Sequence, residues 1–395
     1  MNKPNISDIH NCYGCGVCSK PCPVHIIDIH LNAEGFYEPY LTDADKCIHC
    51  GLCRDVCAYI REDLAVSNQC IASYAAWSND EKTRHDATSG GAGFEITKYL
   101  MEQGYTTIGV RYNPETQRAE HFEATSLDDL CVTTGSKYIQ SYTIDGWKAV
   151  DRKKKFLIIG TPCQIDSFRN YVKLMRLPEE NFVLLDFYCH GVPSMLAWKK
   201  YVRQAEQKLG GRLTDASWRN KANVGWHNSY NMHLIGGGKS IYSGLSQGDE
   251  FLRAFLCDQC LGRHCYLHCK YKYDKSSADI RIGDLWGDTY RDNEKGVSCA
   301  IAFTERGLDV LKHINCTLVD YPLSTVAEGQ MKNCPPMLPL REQVIASLQD
   351  PILPLAVALQ LVDTYHRHQR NIQRLKHPLR TSCHILWRLL GRKKR

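Results

Sequence analysis

The sequence lacks the segments that direct a chain out of the cell or into a membrane. Its first residues, "MNKPNISDIHNCYG", are polar and contain no apolar stretch of the kind found in signal peptides. No run of apolar residues approaches the roughly 18 that a membrane-spanning helix needs. We therefore expect a cytoplasmic protein.

Low-complexity sequence is also missing apart from the basic end, and 43% hydrophobic with 23% charged residues is typical of a folded globular protein. The net charge of +6 comes largely from "DRKKKF" and the tail "GRKKR". No basic–aromatic array or known reader motif accompanies this charge, so we expect no nucleic-acid partner. A phosphate-bearing cofactor fits the charge at least as well.

Cysteine, by contrast, is abundant, with 20 in 395 residues. A disulfide framework is typical of small secreted domains, whereas this chain is long and clusters its thiols tightly. Two runs, "CYGCGVCSKPC" from Cys12 and "CIHCGLCRDVC" from Cys47, share the spacing C-x2-C-x2-C-x3-C. This spacing is that of bacterial two-cluster ferredoxins, in which the fourth Cys of each run binds the other cluster.

The crossed pattern predicts two [4Fe-4S] centres. The first takes Cys12, Cys15, Cys18 and Cys57, and the second takes Cys47, Cys50, Cys53 and Cys22. The alternative is a pair of zinc sites, but zinc motifs usually show two C-x2-C pairs separated by a longer loop. Two such clusters conduct electrons, so the rest of the chain must hold the group that gives or receives them.

The remaining sequence alternates strands with helices, which predicts an α/β fold with a mainly parallel sheet. Predicted strands are "CIASYAAWS", "TTIGVRYN", "AEHFEAT", "KFLIIG", "NFVLLDFYCHG", "ADIRIGDLWG" and "VSCAIAF". Helices are predicted after "SGG", from "TPCQ" onward, over "SMLAWKKYVRQAEQKL" and beyond Arg341. The fold class is thus a ferredoxin-like (α+β) module, a mixed sheet flanked by helices, and a helical C-terminal extension.

Three predicted strand ends carry residues capable of chemistry. "ATSGGAG" places Ser89, Gly90 and Gly91 before a helix, where backbone N–H groups can bind an anion; the alternative is a simple cap with Ser89 as N-cap. "GTPCQ" and "DFYCHGVPS" follow two further strands, at the position where open α/β sheets bind ligands. Their cysteines, Cys163 and Cys189, are cluster ligands, redox thiols or small buried apolar residues.

A further cysteine group stands in "CDQCLGRHCYLHC". Its members are Cys257, Cys260, Cys265 and Cys269. Four thiols within thirteen residues indicate a third metal site, either iron–sulfur or zinc. Cys163 or Cys189 is an alternative to one of the four as a ligand.

Taken in order, the ferredoxin pair, "SGG", "GSKYIQS", "GTPCQ", "CHGVPS" and the cysteine pair before "ADIRIGDLWG" resemble the beta subunit of coenzyme F-420-reducing hydrogenase and dehydrogenase. The resemblance covers roughly residues 5 to 305. It implies a bound flavin, usually FAD, and electron transfer between clusters and a deazaflavin or another reducible substrate. The family also resembles plant 7-hydroxymethyl chlorophyll a reductase, so the resemblance does not imply one substrate. Bacterial members with two N-terminal clusters belong to polysaccharide gene sets, where we expect this chain to fall.

The resemblance also implies site residues. A flavin or nucleotide site would gather Ser89, Gly90, Gly91, Ser136, Lys137, Thr161, Pro162, Cys163 and Gln164. The Lys137 cation would stabilise an anionic flavin or a diphosphate, unless it is a solvated surface lysine. His190 and Asp284 are the candidate catalytic residues, because hydride chemistry at a flavin needs a matched proton; Asp284 could equally cap a turn.

These features predict three domains: residues 1–66 (two-cluster ferredoxin), 67–325 (flavin-binding α/β) and 326–395 (helical and basic). The predicted function is an iron–sulfur flavoprotein oxidoreductase that passes electrons from a donor such as ferredoxin to a small organic hydride acceptor, or in reverse. The alternatives are an electron carrier without its own substrate, or a polysaccharide-tailoring transferase with structural or sensing clusters. The tail "CHILWRLLGRKKR" could lie on an anionic membrane surface, dock on the enzyme or remain disordered.

Overall fold

The computed structural model describes residues 3–376, so the predicted amphipathic tail lies outside the described part of the chain. The strands are β1 Ile27–Leu31, β2 Tyr37–Leu41, β3 Ala72–Ser78, β4 Tyr105–Asn113, β5 Arg118–Ala124, β6 Ser141–Tyr142, β7 Lys155–Ile159, β8 Phe182–Phe187, β9 Leu213–Ser217, β10 Asn231–Gly236, β11 Lys239–Gly244, β12 Ile280–Asp284, β13 Ser298–Ala302 and β14 Cys316–Asp320. The helices are α1 Leu52–Asp55, α2 Glu81–Asp86, α3 Ala92–Glu102, α4 Leu127–Thr133, α5 Ile144–Ala149, α6 Pro162–Leu174, α7 Met195–Leu209, α8 Glu250–Leu256, α9 Arg263–Leu267, α10 Glu305–His313, α11 Leu323–Val326, α12 Leu340–Gln349 and α13 Leu355–Lys376. None of the helices within residues 3–376 combines the length and apolar character that a membrane span requires.

A nine-stranded mixed sheet forms the centre of the molecule, in the order β14-β3-β13-β12-β8-β7-β4-β5-β6. Its middle strands β12, β8, β7 and β4 run parallel to one another, whereas the pairs from β14 to β12 and the pair β4–β5 are antiparallel. β7 and β8 are short and largely apolar, which is typical of parallel strands that are covered on both sheet faces. The predicted strands and the α/β class are confirmed, with antiparallel strands on both sides of the parallel centre.

Alternate residues of β7 and β8 point to two different cores. Leu157 and Val183 pack against α3 and α10 on one face of the sheet. Phe156 and Leu184 pack against α5 and α6 on the other face, together with apolar residues of the cysteine-rich module. The period of two that a strand imposes on its side chains therefore places this module directly on one face of the sheet.

The cysteine-rich module consists of the β1–β2 hairpin, the short helix α1 and the two cysteine loops around them. Gly16 has a φ of +65°, and a Cβ there would come within 2.5 Å of the Thr143 hydroxyl oxygen. Only glycine fits both the left-handed backbone and this close approach. The first cysteine loop is thereby held against the start of α5.

A further core surrounds Trp198 and Trp218, between α7, α8, α12, α13 and a small antiparallel sheet of β9, β10 and β11. The helices beyond Arg341 were predicted, but the small sheet was not, since its strands are short and β11 is largely exposed. The buried Arg341 on α12 lies 2.5 Å from Glu34 in the β1–β2 loop. The described C-terminal helices are thus joined to the cysteine-rich module by an ion pair.

Candidate iron–sulfur and cofactor site

The inner of two cysteine-lined cavities lies between the first cysteine loop and α6. Its empty volume is about 320 Å³. The cysteines that line it are Cys12, Cys15, Cys18 and Cys57. These are the four thiols that the crossed pattern predicts for one cluster, and the rest of the lining is mostly apolar, with Tyr13 and Tyr59 among it.

The outer cavity lies on the far side of the module and has an empty volume of about 340 Å³. Its cysteines are Cys22, Cys47, Cys50 and Cys53, the four predicted for the other cluster. The loop between Cys47 and Cys50 is at the surface, since the Ile48 side chain is exposed. The outer cavity is therefore the one nearer to solvent.

The thiols of both cavities are chemically suited to a cation. Burial raises the pKa of Cys18 well above its ordinary value, and it raises the pKa of Cys15 and of Cys53 to about 11. Such thiols remain protonated on their own, whereas bound iron makes the thiolate form favourable. The chemistry of the two donor sets thus fits iron–sulfur clusters.

The inner cavity is anchored on the elements that carry "GTPCQ". The Cys15 carbonyl oxygen accepts hydrogen bonds from Thr143 Oγ1 at 2.9 Å and Trp147 Nε1 at 2.8 Å. The Cys15 sulfur lies 3.4 Å from the Ser167 hydroxyl oxygen on α6. Cys163, one helical turn before Ser167, begins the same helix, so α6 connects the inner cavity to the edge of the sheet.

The predicted site residues gather at one edge of the large sheet. β12, β8, β7 and β4 are parallel, and β3 points the same way because two antiparallel pairings separate it from β12. Asp284 ends β12, His190 follows β8, and "GTPCQ" follows β7. Ser89 follows β3 by way of α2. This is the edge at which open α/β sheets bind ligands.

The "SGG" turn is held by contacts within the protein. The Ser89 hydroxyl donates to the Val297 carbonyl oxygen at 2.7 Å, and the Gly90 N–H donates to Ser298 Oγ at 2.9 Å. Gly91, not Ser89, is the N-cap of α3, with a φ of +91°. The simple-cap alternative with Ser89 as N-cap is therefore wrong, because the chain turns into the helix two residues later. A cofactor contact by these residues stays a prediction.

Lys137 lies next to this turn, because the Ser136 N–H donates to Thr88 Oγ1 at 2.9 Å. Its ammonium group donates to three carbonyl oxygens at the end of α4, those of Val132, Thr133 and Thr134, at 2.9–3.1 Å. Burial lowers the pKa of Lys137 to about 7. The alternative of a freely solvated surface lysine is therefore wrong.

"GTPCQ" forms a capping box at the start of α6 with Pro162 at the first helical position. The Thr161 N–H donates to Gln164 Oε1 at 2.8 Å, and Gln164 Nε2 donates to Ser141 Oγ at 3.2 Å. The Thr161 hydroxyl oxygen lies 3.2 Å from the Cys163 sulfur. The motif thus fixes the position of the Cys163 thiol at the sheet edge.

The two candidate catalytic residues have different partners. His190 Nε2 lies 2.7 Å from Asp258 Oδ1. Asp284 accepts a hydrogen bond from Trp226 Nε1 at 2.7 Å and forms an ion pair with the fully buried Arg219 at 3.2 Å. Both Asp284 oxygens are thereby engaged within the protein, which favours an anchoring role. No motif in the sequence marks Arg219, which only the fold brings to Asp284.

His121 on β5 is a further buried group that the sequence analysis did not identify. Its Nε2 lies 3.0 Å from the Ile159 carbonyl oxygen, next to the start of "GTPCQ". Burial lowers the pKa of His121 to about 4, so the folded protein keeps this ring neutral.

We predict that this histidine destabilises the fold in mild acid. Unfolded, it binds a proton near pH 6.5, whereas folded it does so only near pH 4. Its contribution to stability is therefore lost as the pH falls from 6.5 towards 4, by about 1.4 kcal/mol per pH unit. Denaturant unfolding between pH 7.5 and pH 5.5 should show a shallower loss for His121→Gln than for the control His30→Gln, at an exposed site. Equal slopes would contradict the prediction.

The third cysteine group is divided in the structure. Cys257 and Cys260 both donate to the Ala254 carbonyl oxygen at 3.2 Å. Cys265 lies within α9 and Cys269 just after it, and both are near Cys189. Within residues 3–376 no three or more His, Cys, Asp or Glu side chains converge closely enough to hold a single metal ion.

Cys163 is close to this region. Burial raises the pKa of the Cys163 thiol, and the neighbouring Cys189, Cys15 and Cys269 raise it further. The pKa of Cys265 is raised to about 12, by burial first and then by Cys189 and Cys269 among others. Cys189 and Cys269 thus lie close enough to one another, to Cys163 and to Cys265 to affect their pKa values.

Comparison with known families agrees with this geometry. Residues 11–61 match the 4Fe-4S dicluster domain. Joined to the ligand-binding edge of an α/β sheet, such a domain defines an iron–sulfur electron-transfer protein of the oxidoreductase class. Residues 73–145 match the N-terminal part, and residues 153–318 the C-terminal part, of the coenzyme F420 hydrogenase/dehydrogenase beta subunit. The chain belongs to this family, as its motifs predict.

One solved structure similar to the chain comes from the xenon-derivatised F420-reducing [NiFe] hydrogenase complex of Methanosarcina barkeri. The two chains are 17% identical with a TM-score of 0.45, and the match covers 79% of this chain and 95% of that chain. No curated protein matches the chain in sequence.

Proposed function

We propose that this chain is an iron–sulfur flavoprotein oxidoreductase that exchanges electrons with a donor such as ferredoxin and reduces, or oxidises, a small organic hydride acceptor. Two [4Fe-4S] clusters would supply one-electron transfer, and a flavin, FAD or FMN, would supply the conversion to two-electron chemistry. The acceptor is a coenzyme F-420-like compound or a substrate of a polysaccharide pathway. The observation that carries the proposal is the position of α6, which joins the inner cysteine cavity to the ligand-binding edge of the sheet.

The order of the sites supports an electron path between the surface and the sheet. The outer cavity, bounded by the exposed Ile48 loop, is where a protein donor would dock. The inner cavity lies behind it, against Ser167 and Trp147 of the α/β domain. Cys22 belongs to the first cysteine run but lines the outer cavity, so this run contributes thiols to both sites. Electrons that enter at the outer cluster would thereby pass to the inner cluster, which is farther from solvent.

A third iron–sulfur centre at the sheet edge would continue this path. Its ligands would be Cys163, Cys189, Cys265 and Cys269, so that Cys163 and Cys189 replace Cys257 and Cys260 of the group expected from the sequence. Support comes from the electrostatic contacts of Cys189 and Cys269 with each other, with Cys163 and with Cys265, and from the proximity of Cys163 to Cys15. Cys163 and Cys189 come after two parallel strands, Cys265 lies in α9 and Cys269 follows it.

The flavin would bind along the same edge. The first N–H groups of α3 are open to an anion such as a diphosphate, because a helix cannot bond them internally. Ser89 and Gly90 hold the preceding turn in place, and Ser136, the neighbour of Lys137, donates to Thr88 beside that turn. His190 follows Cys189 directly and is the candidate for delivering the proton that accompanies hydride transfer. Asp258 Oδ1 lies 2.7 Å from its Nε2.

The test is a measurement of flavin and of its reduction. Anaerobically purified protein should release about one flavin per chain on denaturation, and reduced ferredoxin should bleach the bound flavin in stopped-flow experiments. Cys163→Ala should retain flavin but slow this bleaching by at least tenfold, since the path from the inner centre is interrupted. Cys131→Ser, at an exposed thiol on α4, is the matched control. Protein without extractable flavin would instead indicate an electron carrier, and ferredoxin-independent turnover would indicate a transferase.

A further inference from the structure

Among the cysteines outside the three proposed centres, Cys257 and Cys260 lie next to one another. Cys257 is the C-cap of α8, and Cys260 follows in the turn that leads to α9. Both sulfurs donate to the same oxygen atom, the carbonyl oxygen of Ala254, at 3.2 Å each. A disulfide needs a sulfur–sulfur distance of about 2.05 Å. Because both thiols share one acceptor, rotation about their Cα–Cβ bonds can bring the two sulfurs together.

The turn between these cysteines is held in a defined shape. Asp258 has a φ of +59°, which is uncommon for a residue other than glycine. Its carbonyl oxygen accepts a hydrogen bond from the Tyr266 hydroxyl at 2.5 Å, and the Cys260 carbonyl oxygen accepts one from the Ser194 N–H at 2.8 Å. The backbone is thereby fixed on both sides of the pair, so that closing a ring between the sulfurs costs little additional ordering of the chain.

The two sulfurs differ in accessibility. Cys257 is half-buried, whereas Cys260 is only 1% exposed. Once Cys257 loses its proton, the Cys260 thiol can turn from the Ala254 carbonyl oxygen and donate to the Cys257 sulfur, which lowers the pKa of Cys257 and favours the thiolate, the form that attacks disulfides. This asymmetry is that of a dithiol in which one sulfur meets the external reactant and the other resolves the intermediate.

We propose that Cys257 and Cys260 form a redox-active dithiol that exchanges with an external disulfide of the glutathione class. The inference rests on the proposed function only in assigning Cys163 and Cys189, rather than this pair, to the third centre. Because Asp258 lies between the two cysteines and contacts His190, the state of the dithiol is coupled to the candidate proton donor.

The exchange balances without any further oxidant. The Cys257 thiolate, its proton released to water, attacks one sulfur of oxidised glutathione, whose S–S bond breaks as the Cys257–glutathione bond forms. The leaving glutathione thiolate takes up a proton. The Cys260 thiolate, having lost its own proton, then attacks the Cys257 sulfur and releases the second glutathione, which is protonated in turn. Two protein thiols are oxidised to one disulfide, and one glutathione disulfide is reduced to two thiols.

The sequence provides a clean readout. Cleavage by trypsin after Arg253 and Arg263 releases the peptide "AFLCDQCLGR", in which Cys257 and Cys260 are the only cysteines. Anaerobic holoprotein is equilibrated in buffers of varied reduced-to-oxidised glutathione ratio, quenched with acid, alkylated, digested and analysed by mass spectrometry. We expect this peptide to pass from a doubly alkylated form to an unalkylated disulfide form, which is two hydrogen atoms lighter than the reduced peptide. The ratio of the two forms should depend on the square of the reduced glutathione concentration, as for a two-electron couple.

Single variants test the assigned roles. Cys260→Ser should accumulate glutathione on Cys257, whereas Cys257→Ser should leave Cys260 alkylated and free of glutathione, since Cys260 is buried. The exposed lone thiol Cys131 should form only a mixed disulfide and shows that the buffer is competent. The double variant Cys257→Ser/Cys260→Ser should keep the wild-type iron content.

Two results would overturn the proposal. One is a peptide that stays doubly alkylated at every glutathione ratio. The other is a loss of about four irons per chain in the double variant, which would make the pair cluster ligands. Neither readout depends on flavin or turnover, so a failure of the dithiol proposal is distinguishable from a failure of the proposed function.

Discussion

Replacing Arg281 with Met should lower the free energy of unfolding by about 3–5 kcal/mol, because it leaves a buried carboxylate without its countercharge. Arg281 on β12 faces Asp186 on β8, its register partner in the parallel centre of the sheet. Both side chains are fully buried, and two N–H···O contacts of 2.7 Å join them. The remaining N–H groups of the guanidinium donate to the carbonyl oxygens of Tyr271, Tyr273 and Lys275.

The same substitution should also disrupt iron binding at the proposed third centre. The three carbonyl oxygens belong to the segment that directly follows Cys269, so Arg281 holds this segment against the sheet. We expect the variant to lose about four irons per chain in addition to stability. Denaturant unfolding and iron analysis of the same preparations measure both effects.

Two companion variants show whether charge is the cause. Arg281→Met combined with Asp186→Leu removes both charges and should recover part of the lost stability. Arg291→Met breaks an ion pair with Asp288 in which both side chains are exposed, and it should change stability by less than about 0.5 kcal/mol. A loss below about 1 kcal/mol for Arg281→Met would contradict the account.

The crossed ligation of the two N-terminal clusters makes the second large prediction. Cys18 and Cys57 line the inner cavity although they come from different cysteine runs, and Cys22 lines the outer one. Cys18→Ser/Cys57→Ser should therefore lose about four irons per chain, since both thiols bind one cluster. Cys18→Ser/Cys22→Ser, within a single run, should lose about eight. Transfer from reduced ferredoxin should fail in both.

Uncrossed ligation, with one cluster per run, predicts the reverse order of iron losses, so the pair of double variants separates the two arrangements. Iron and acid-labile sulfide are measured per folded chain, with Cys131→Ser as the control that keeps the full content. Equal losses in the two double variants would contradict both arrangements and would indicate that the module unfolds when any ligand is removed.

Local sequence patterns were sufficient for the parts of the molecule that depend on near neighbours. The doubled spacing from Cys12 and from Cys47 predicts both four-thiol groups, because each loop wraps its own cavity and only the fourth thiol crosses over. The apolar runs of β7 and β8 predict buried parallel strands for the same reason, since each residue's environment is set by the period of the strand.

Long-range arrangement was not predictable from such patterns. Cys163 lies in α6, Cys189 follows β8 and Cys265 lies in α9, and only the folded arrangement of these elements brings the thiols near one another. The sequence therefore favoured the four close thiols that begin at Cys257, which the structure divides into two pairs.

The central claim is that the eight N-terminal thiols bind iron and conduct electrons towards an organic redox group. Metal, sulfide and EPR analysis of anaerobically purified wild-type protein tests it most directly. The account predicts brown protein with at least about eight irons and eight sulfides per chain, about twelve with the third centre, and [4Fe-4S] signals after reduction. Colourless protein that contains zinc and shows no EPR signal after reduction would contradict it.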